Sequence, residues 1–195
     1  MASGWPSSGS RSHPDGRMKI IAISGSLRAG SSNSAILRVA ARVAPDGFVV
    51  EVFHGIDRLP FFNPDLDREL DDPALPSTVR ELRAGIAASD AVLISSPEYA
   101  HGVSGMLKNA LDWLVGGPEM VGKPVALINT APHATHALAA LSETLRTMSA
   151  ELVHSACLSI ALPRNQSDDA LGADPAVAGP VRETLIALAA DTQQE

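Results

Sequence analysis

Residues 25–33 bring together polar groups that favour a phosphate. They read Gly-Ser-Leu-Arg-Ala-Gly-Ser-Ser-Asn and directly precede apolar residues at helical spacing. A helix N-terminus offers unpaired backbone N–H groups and the positive end of the helix dipole, and serine hydroxyls and Arg28 add further donors. The segment lacks the lysine of a Walker A loop and the three glycines of a dinucleotide fingerprint, so it favours a monophosphate. A helix cap beside a glycine turn is the alternative interpretation.

Residues 95–105 form a second segment whose residue types could bind a ligand. They read Ser-Ser-Pro-Glu-Tyr-Ala-His-Gly-Val-Ser-Gly, followed by Met-Leu-Lys-Asn-Ala-Leu-Asp-Trp. Pro97 ends strand pairing because it has no N–H to donate. Exposed backbone groups together with Tyr99 suit the edge of a flat heteroaromatic ring. The alternative is an ordinary strand-to-helix turn in which Tyr99 only fills space.

The elements that must position these segments alternate regularly along the chain. Five apolar runs predict strands, one beginning at Lys19 and the others at residues 48–53, 91–95, 125–129 and 152–162. Apolar residues at helical spacing follow each run. This alternation predicts a doubly wound α/β fold with a five-stranded parallel sheet and helices on both faces. In such folds ligands bind beyond the carboxyl ends of the strands, which directs attention to the loops after strands one, three and four.

Composition narrows the choice of partner and compartment. The 195 residues carry a net charge of −7, and only 4% are aromatic, which argues against a nucleic-acid surface. No apolar run approaches the roughly 20 residues that cross a bilayer. The single cysteine, Cys157, has no partner for an internal disulfide, so a cytoplasmic protein is expected. Residues 1–17 are predicted to be a flexible tail, and residues 18–192 a single domain.

The two segments together resemble the NAD(P)H-dependent FMN reductase family, which also includes quinone, azo-dye and chromate reductases. Residues 25–33 resemble its phosphate loop. Pro97-Glu98-Tyr99, with the Lys-Asn-x-x-Asp-Trp of residues 108–113 behind it, resembles its flavin-ring loop and the following helix. The resemblance extends from about residue 18 to residue 162 and implies a flavodoxin-like fold.

The resemblance also implies a set of FMN contacts and an activity. NADPH or NADH would deliver hydride to bound FMN, which would pass electrons to a small acceptor such as free flavin or a quinone. The flavin performs this chemistry, so no catalytic side chain is named. The protein would be a homodimer or homotetramer. The implied phosphate contacts are Ser26, Arg28, Ser31 and Asn33, and the implied ring contacts are Pro97, Glu98, Tyr99 and the backbone at Ala100.

Two departures from the family pattern concern the ring site. The family commonly has Asn after Pro-Glu-Tyr, whereas this chain has Ala100 followed by His101. The family loop after strand four is often close to Ser-x-Gly-Gly. Here residues 129–136 read Asn-Thr-Ala-Pro-His-Ala-Thr-His, a bulkier loop expected to alter access to the ring or its affinity.

Four other patterns have alternative interpretations. His133 and His136 have the spacing of a metal pair but lack a third ligand, so they are expected to line the rim of the site, where His101 could donate to a substrate oxygen. Residues 102–105 are one residue short of a serine-hydrolase elbow. Cys157 lies in an apolar run and is interpreted as structural. Trp113 is predicted to be exposed at a subunit interface.

Two other classes compete with the reductase. A flavodoxin-type electron carrier would typically have a Thr-rich phosphate loop without Arg28 and aromatic residues beside the flavin. A regulatory module that keeps the fold but not the chemistry draws support only from the altered loop at residues 129–136.

Overall fold

The computed structural model describes residues 16–163 and 166–192, so nearly all of the predicted N-terminal tail lies outside the described residues. The strands are β1 Met18–Ser24, β2 Phe48–Val52, β3 Ala91–Ser95, β4 Glu98–Tyr99, β5 Gly102–Val103, β6 Pro124–Asn129, β7 Glu151–Leu152 and β8 Leu158–Ser159. The α-helices are α1 Ser32–Val43, α2 Ser77–Ala87, α3 Gly105–Asp112, α4 His136–Thr147, α5 Asp168–Ala173 and α6 Pro175–Asp191.

The main sheet confirms the predicted doubly wound fold. Its strand order is β2-β1-β3-β6-β7, all neighbours are parallel, and β8 also pairs with β6. β2 lies on one side of β1 and β3 lies on the other side, so the strand order reverses at β1. Ser24 pairs with Ser95 at the carboxyl ends of β1 and β3. The loops that follow these two strands therefore start side by side.

Alternate residues of the buried strands supply two cores, one on each face of the sheet. Ile20 and Ala22 pack with α1, α5 and α6, whereas Ile21 and Ile23 pack with α2, α3 and α4. Because both faces are covered, the central strands are apolar throughout rather than alternating with polar residues. The helices that follow β3 and β6 therefore lie on the same face of the sheet.

The strand predicted over residues 152–162 is interrupted. Leu152 pairs with Val125 and Leu158 with Ile128, so the outer strand carries more residues than β6 over the same rise. The additional residues of the outer strand form a 3₁₀ turn at His154–Ala156. In the gap, the backbone N–H of Leu127 donates to the sulfur of Cys157 at 3.4 Å. This contact gives Cys157 the structural role that its apolar run indicates.

The prediction that Trp113 is exposed at a subunit interface is wrong. Trp113 is 0% exposed, and its indole N–H donates to the carbonyl of Pro60 at 2.8 Å. Phe62 meets its ring edge to face, with 5.1 Å between centroids. Asn109 holds the same loop, because it donates to Pro60 O and accepts from the N–H of Phe62. The loop after β2 thus folds back over α3 and covers the indole.

Candidate functional site

The loops after β1 and β3 are packed directly against each other. The N–H of Gly25 donates to the carbonyl of Ser95 at 2.8 Å. A Cβ at residue 25 would lie 2.4 Å from the hydroxyl oxygen of Ser96 and 3.0 Å from that of Ser104. Gly25 is therefore required for the close approach of the two loops.

The N-terminus of α1 has the features of an anion site. Ser31 is its N-cap, with its hydroxyl accepting from Ser34 N–H at 3.3 Å and its carbonyl accepting from Ala35 N–H at 2.9 Å. Among the hydrogen bonds of the described chain, none takes up the N–H groups of Ser32 and Asn33. The first turn also has no acidic side chain. These two N–H groups and the dipole are therefore available to a phosphate.

The other residues predicted to contact the phosphate also lie in the loop after β1 or in the first turn of α1, but each makes different contacts. Ser26 is buried and its hydroxyl accepts from the N–H of Arg28 at 3.4 Å, which shapes the loop. The Arg28 side chain is exposed and forms no ion pair with the described residues. Asn33 is buried, and its carboxamide oxygen accepts from the hydroxyls of Ser95 at 2.9 Å and Thr130 at 3.1 Å. Asn33 therefore joins the first turn of α1 to the end of β3 and to the loop after β6.

The predicted ring loop forms a β-hairpin that sequence reasoning missed. β4 and β5 pair in antiparallel register around Ala100 and His101, with φ angles of 50° and 60°. Two consecutive positive φ angles are those of a type I′ turn, which favours Asn-Gly. Ala-His carries no such signal, so the hairpin could not be predicted from these residues. Pro97 precedes the hairpin, and Tyr99 is 57% exposed on it.

The hairpin is attached to the N-terminus of α4 at two points. A carboxylate oxygen of Glu98 accepts from the N–H of Ala137 at 2.8 Å. The imidazoles of His101 and His136 stack with 4.2 Å between centroids and an interplanar angle of 18°. His136 therefore contacts the hairpin from the start of α4; that it and His133 line the rim of a flavin site stays a prediction.

A small, mainly apolar pocket lies between the sheet and the first turns of α4, beneath this attachment. Ser96 and Glu98 border it on the β3 side, and Asn129 and Ala134 border it on the β6 side. The loop after β6 is braced by Asn129, which accepts from Ala131 N–H at 3.0 Å and donates to Ala134 O at 3.1 Å. The remaining lining is Ile94, Leu127, Ile128, Ala137, Leu138 and Leu141.

Within residues 16–163 and 166–192, no three His, Cys, Asp or Glu side chains come close enough together to hold a metal ion. No helix in this part of the chain combines the length and apolar character that crossing a bilayer requires.

The site fits FMN at its phosphate end. The N–H groups at the start of α1 and the positive end of its dipole suit one phosphate, and Arg28 is exposed in the same loop. The hairpin and the loop after β6 flank the adjoining carboxyl edge of the sheet. This is the place where doubly wound folds bind their ligands.

Known proteins with similar sequences are reductases. An NAD(P)H-dependent FMN reductase from Pseudomonas aeruginosa is 39% identical over 116 residues, which are 58% of this chain and 60% of the relative. A quinone reductase from Escherichia coli is 37% identical over 117 residues, 59% of this chain and 60% of the relative. The chain thus spans about 60% of the length of these curated relatives.

Solved structures of similar fold include two NAD(P)H- or NADH-dependent oxidoreductases. The flavoenzyme NAD(P)H:(acceptor) oxidoreductase FerB from Paracoccus denitrificans superposes with a TM-score of 0.65 and 27% identity, over 89% of this chain and 98% of that one. The apo form of an NADH:FMN oxidoreductase superposes with a TM-score of 0.61 over 91% of each chain; at 20% identity it supports the fold alone. The family model described as NADPH-dependent FMN reductase matches residues 18–162, and the protein belongs to that family.

Proposed function

We propose that the protein is an NAD(P)H-dependent FMN oxidoreductase. Bound FMN would take hydride from a nicotinamide cofactor and pass the electrons to a small acceptor such as free flavin or a quinone. Membership of the FMN reductase family and the reductase relatives support this activity. The single structural observation that carries it is the anion cradle at the start of α1, at the edge where the sheet order reverses.

In this proposal the residues of the chain bind FMN and orient it. Arg28 and the α1 N-terminus hold the phosphate, while Ser26 and Ser31 shape the loop around it. Pro97, Tyr99 and the backbone at Ala100 edge the ring from the hairpin side. Because the hairpin turn is short and the loop after β6 is braced, the ring meets fixed walls, which limits the entropy lost on binding.

The decisive experiment is an anaerobic visible spectrum of desalted, FMN-reconstituted protein before and after addition of NADPH or NADH. A retained flavin band that bleaches on mixing supports the reductase, and the faster nucleotide identifies the donor. A retained band that stays oxidised would instead indicate an electron carrier that depends on another reductase. A desalted protein without any flavin band would contradict a tightly bound cofactor.

Arg28 provides the sharpest test of the phosphate assignment. We expect Arg28→Ala to weaken FMN binding about tenfold or more, because a charge-assisted hydrogen bond is lost. The control is Arg146→Ala, which also removes one exposed arginine, in the last turn of α4. Fluorescence titration of FMN gives both dissociation constants. Equal affinity in the two variants would remove Arg28 from the site.

We infer one domain over residues 18–192, a cytoplasmic location and a homodimer or homotetramer. The lone cysteine suits a reducing compartment. The support for association is the family resemblance together with Phe61, which is 91% exposed although both of its neighbours are hydrogen-bonded to α3.

A further inference from the structure

The N-terminus of α4 takes its cap from a distant part of the chain. Its own N-cap residue, Thr135, has helical backbone angles and makes no capping hydrogen bond with its side chain. The carboxylate of Glu98, 39 residues earlier, instead accepts from the N–H of Ala137 at 2.8 Å. A carboxylate at this position also interacts favourably with the helix dipole.

This contact joins the two walls between which the flavin ring is proposed to lie. Glu98 belongs to the hairpin after β3, and Ala137 to the helix after β6. The β3 and β6 strands are neighbours in the sheet, so the contact closes their two loops over the pocket at their carboxyl ends. The stacked rings of His101 and His136 extend the attachment along the outer side.

We infer that Glu98 is a positioning residue that sets the separation of the two loops and thereby the fit of the flavin ring. This inference rests on the proposed function. It also revises the role implied by family resemblance, because the carboxylate acts on the ring through α4 rather than by edging the ring itself. The length of the Glu98 side chain matters for this role, because its oxygen must reach the N–H of Ala137. Its negative charge matters less.

Two substitutions separate reach from charge. Glu98→Gln keeps an oxygen at the same reach without the charge, whereas Glu98→Asp keeps the charge but is one methylene shorter. We expect Glu98→Asp to weaken FMN binding about tenfold, and Glu98→Gln to stay within about threefold of the unaltered protein. Fluorescence titration measures both dissociation constants.

A third variant controls for loss of stability alone. Asp174→Ala removes the N-cap of α6, where the Asp174 side chain accepts from Ala176 N–H at 2.9 Å, on the opposite face of the sheet from α4. We expect a fall in Tm similar to that of Glu98→Asp but no change in FMN affinity. An equal loss of affinity in Asp174→Ala would overturn the positioning role, and so would weaker binding in Glu98→Gln than in Glu98→Asp.

Hydrogen exchange of the protein without flavin tests the attachment independently of cofactor binding. We expect Glu98→Asp to speed exchange at residues 98–103 and at Ala137, and Glu98→Gln to do so much less. Unchanged exchange in Glu98→Asp would overturn the inference. If the unaltered protein bound no FMN, the proposed function would fail, while this exchange difference would still decide whether Glu98 positions the hairpin.

Discussion

Ala100 begins the hairpin turn at a φ of 50°, in a region that residues with a Cβ adopt at a cost of roughly 1–2 kcal/mol. Asparagine tolerates this region better, because its short side chain bonds locally. We expect Ala100→Asn to raise Tm by about 1–4 °C, as a gain of up to 1 kcal/mol would in a domain of this size. Differential scanning calorimetry measures the change.

The matched variant is Ala100→Val, whose β-branched side chain is worst suited to a positive φ. It is expected to lower Tm. If both substitutions changed Tm in the same direction, the turn geometry would not be the cause.

Cys157 completes the hydrogen bonding of β6 at the point where the outer strand is interrupted. Cys157→Ala leaves the N–H of Leu127 without an acceptor, at an expected cost of about 1–3 kcal/mol. Cys157→Ser keeps an acceptor and is expected to lose less. Urea unfolding of the two variants gives the free energies. A loss as large in the serine variant as in the alanine variant would show that the sulfur matters only for packing.

Burial raises the pKa of the Cys157 thiol above its ordinary value, and the hydrogen bond from Leu127 only partly offsets this rise. A raised pKa means that less thiolate is present at neutral pH than in a free cysteine. Alkylation of the folded protein by iodoacetamide should therefore be slow at pH 7, with its rate rising at higher pH than that of glutathione. An alkylation rate that rises at the same pH as that of glutathione, or at a lower pH, would contradict the raised pKa of Cys157.

At the scale of elements, a buried charge cluster fixes α2 to the loops beside it. Arg83 is 3% exposed and pairs with Glu119 at 2.9 Å and with Asp67 at 3.4 Å. The second carboxylate oxygen of Glu119 is buried and has no hydrogen-bond partner. A Cβ at Gly117 would overlap that oxygen and the Arg83 guanidinium, so a side chain at this position would displace the ion pair.

Removing one partner of this cluster should be costly. We expect Glu119→Ala to reduce the free energy of unfolding by about 3–5 kcal/mol, because it leaves Arg83 buried beside a more distant carboxylate. The double variant Arg83→Leu with Glu119→Leu is expected to lose less than Glu119→Ala alone. Urea denaturation of the three proteins decides. A double variant as unstable as the single one would show that shape, not charge, governs the site.

Helices and central strands could be predicted from sequence because their signals are local. The spacing of Leu107, Ala110 and Leu111 marks one buried face of α3 without reference to the rest of the chain. The burial of Trp113 depends on Pro60, some 50 residues away, so no local pattern reveals it. The contact between Glu98 and α4 also joins residues far apart in the chain, so it could not be predicted from a local pattern either. The proposed phosphate loop could be singled out from the sequence because its donor groups lie within one short segment.

For the whole molecule, the exposed ring of Phe61 is the structural feature on which the proposed association with a second copy depends. Both of its neighbours are held to α3, so little freedom is lost when this ring is buried at an interface. We expect the protein to elute as a dimer or tetramer, and Phe61→Glu to shift it toward the monomer. Ile186→Glu, which charges an exposed position on α6, should leave the mass unchanged. Light scattering after size exclusion measures the masses; a monomeric unaltered protein would refute association.

The interrupted outer strand also bears on aggregation. An edge strand with a continuous row of unpaired N–H and carbonyl groups can template pairing with another chain. At the β6 side of this sheet that row is broken, since β7 and β8 are two residues each and a 3₁₀ turn separates them. Intermolecular strand addition is therefore disfavoured at this edge, and among the described strands the five-residue β2 at the opposite edge is the longer template for a neighbouring chain.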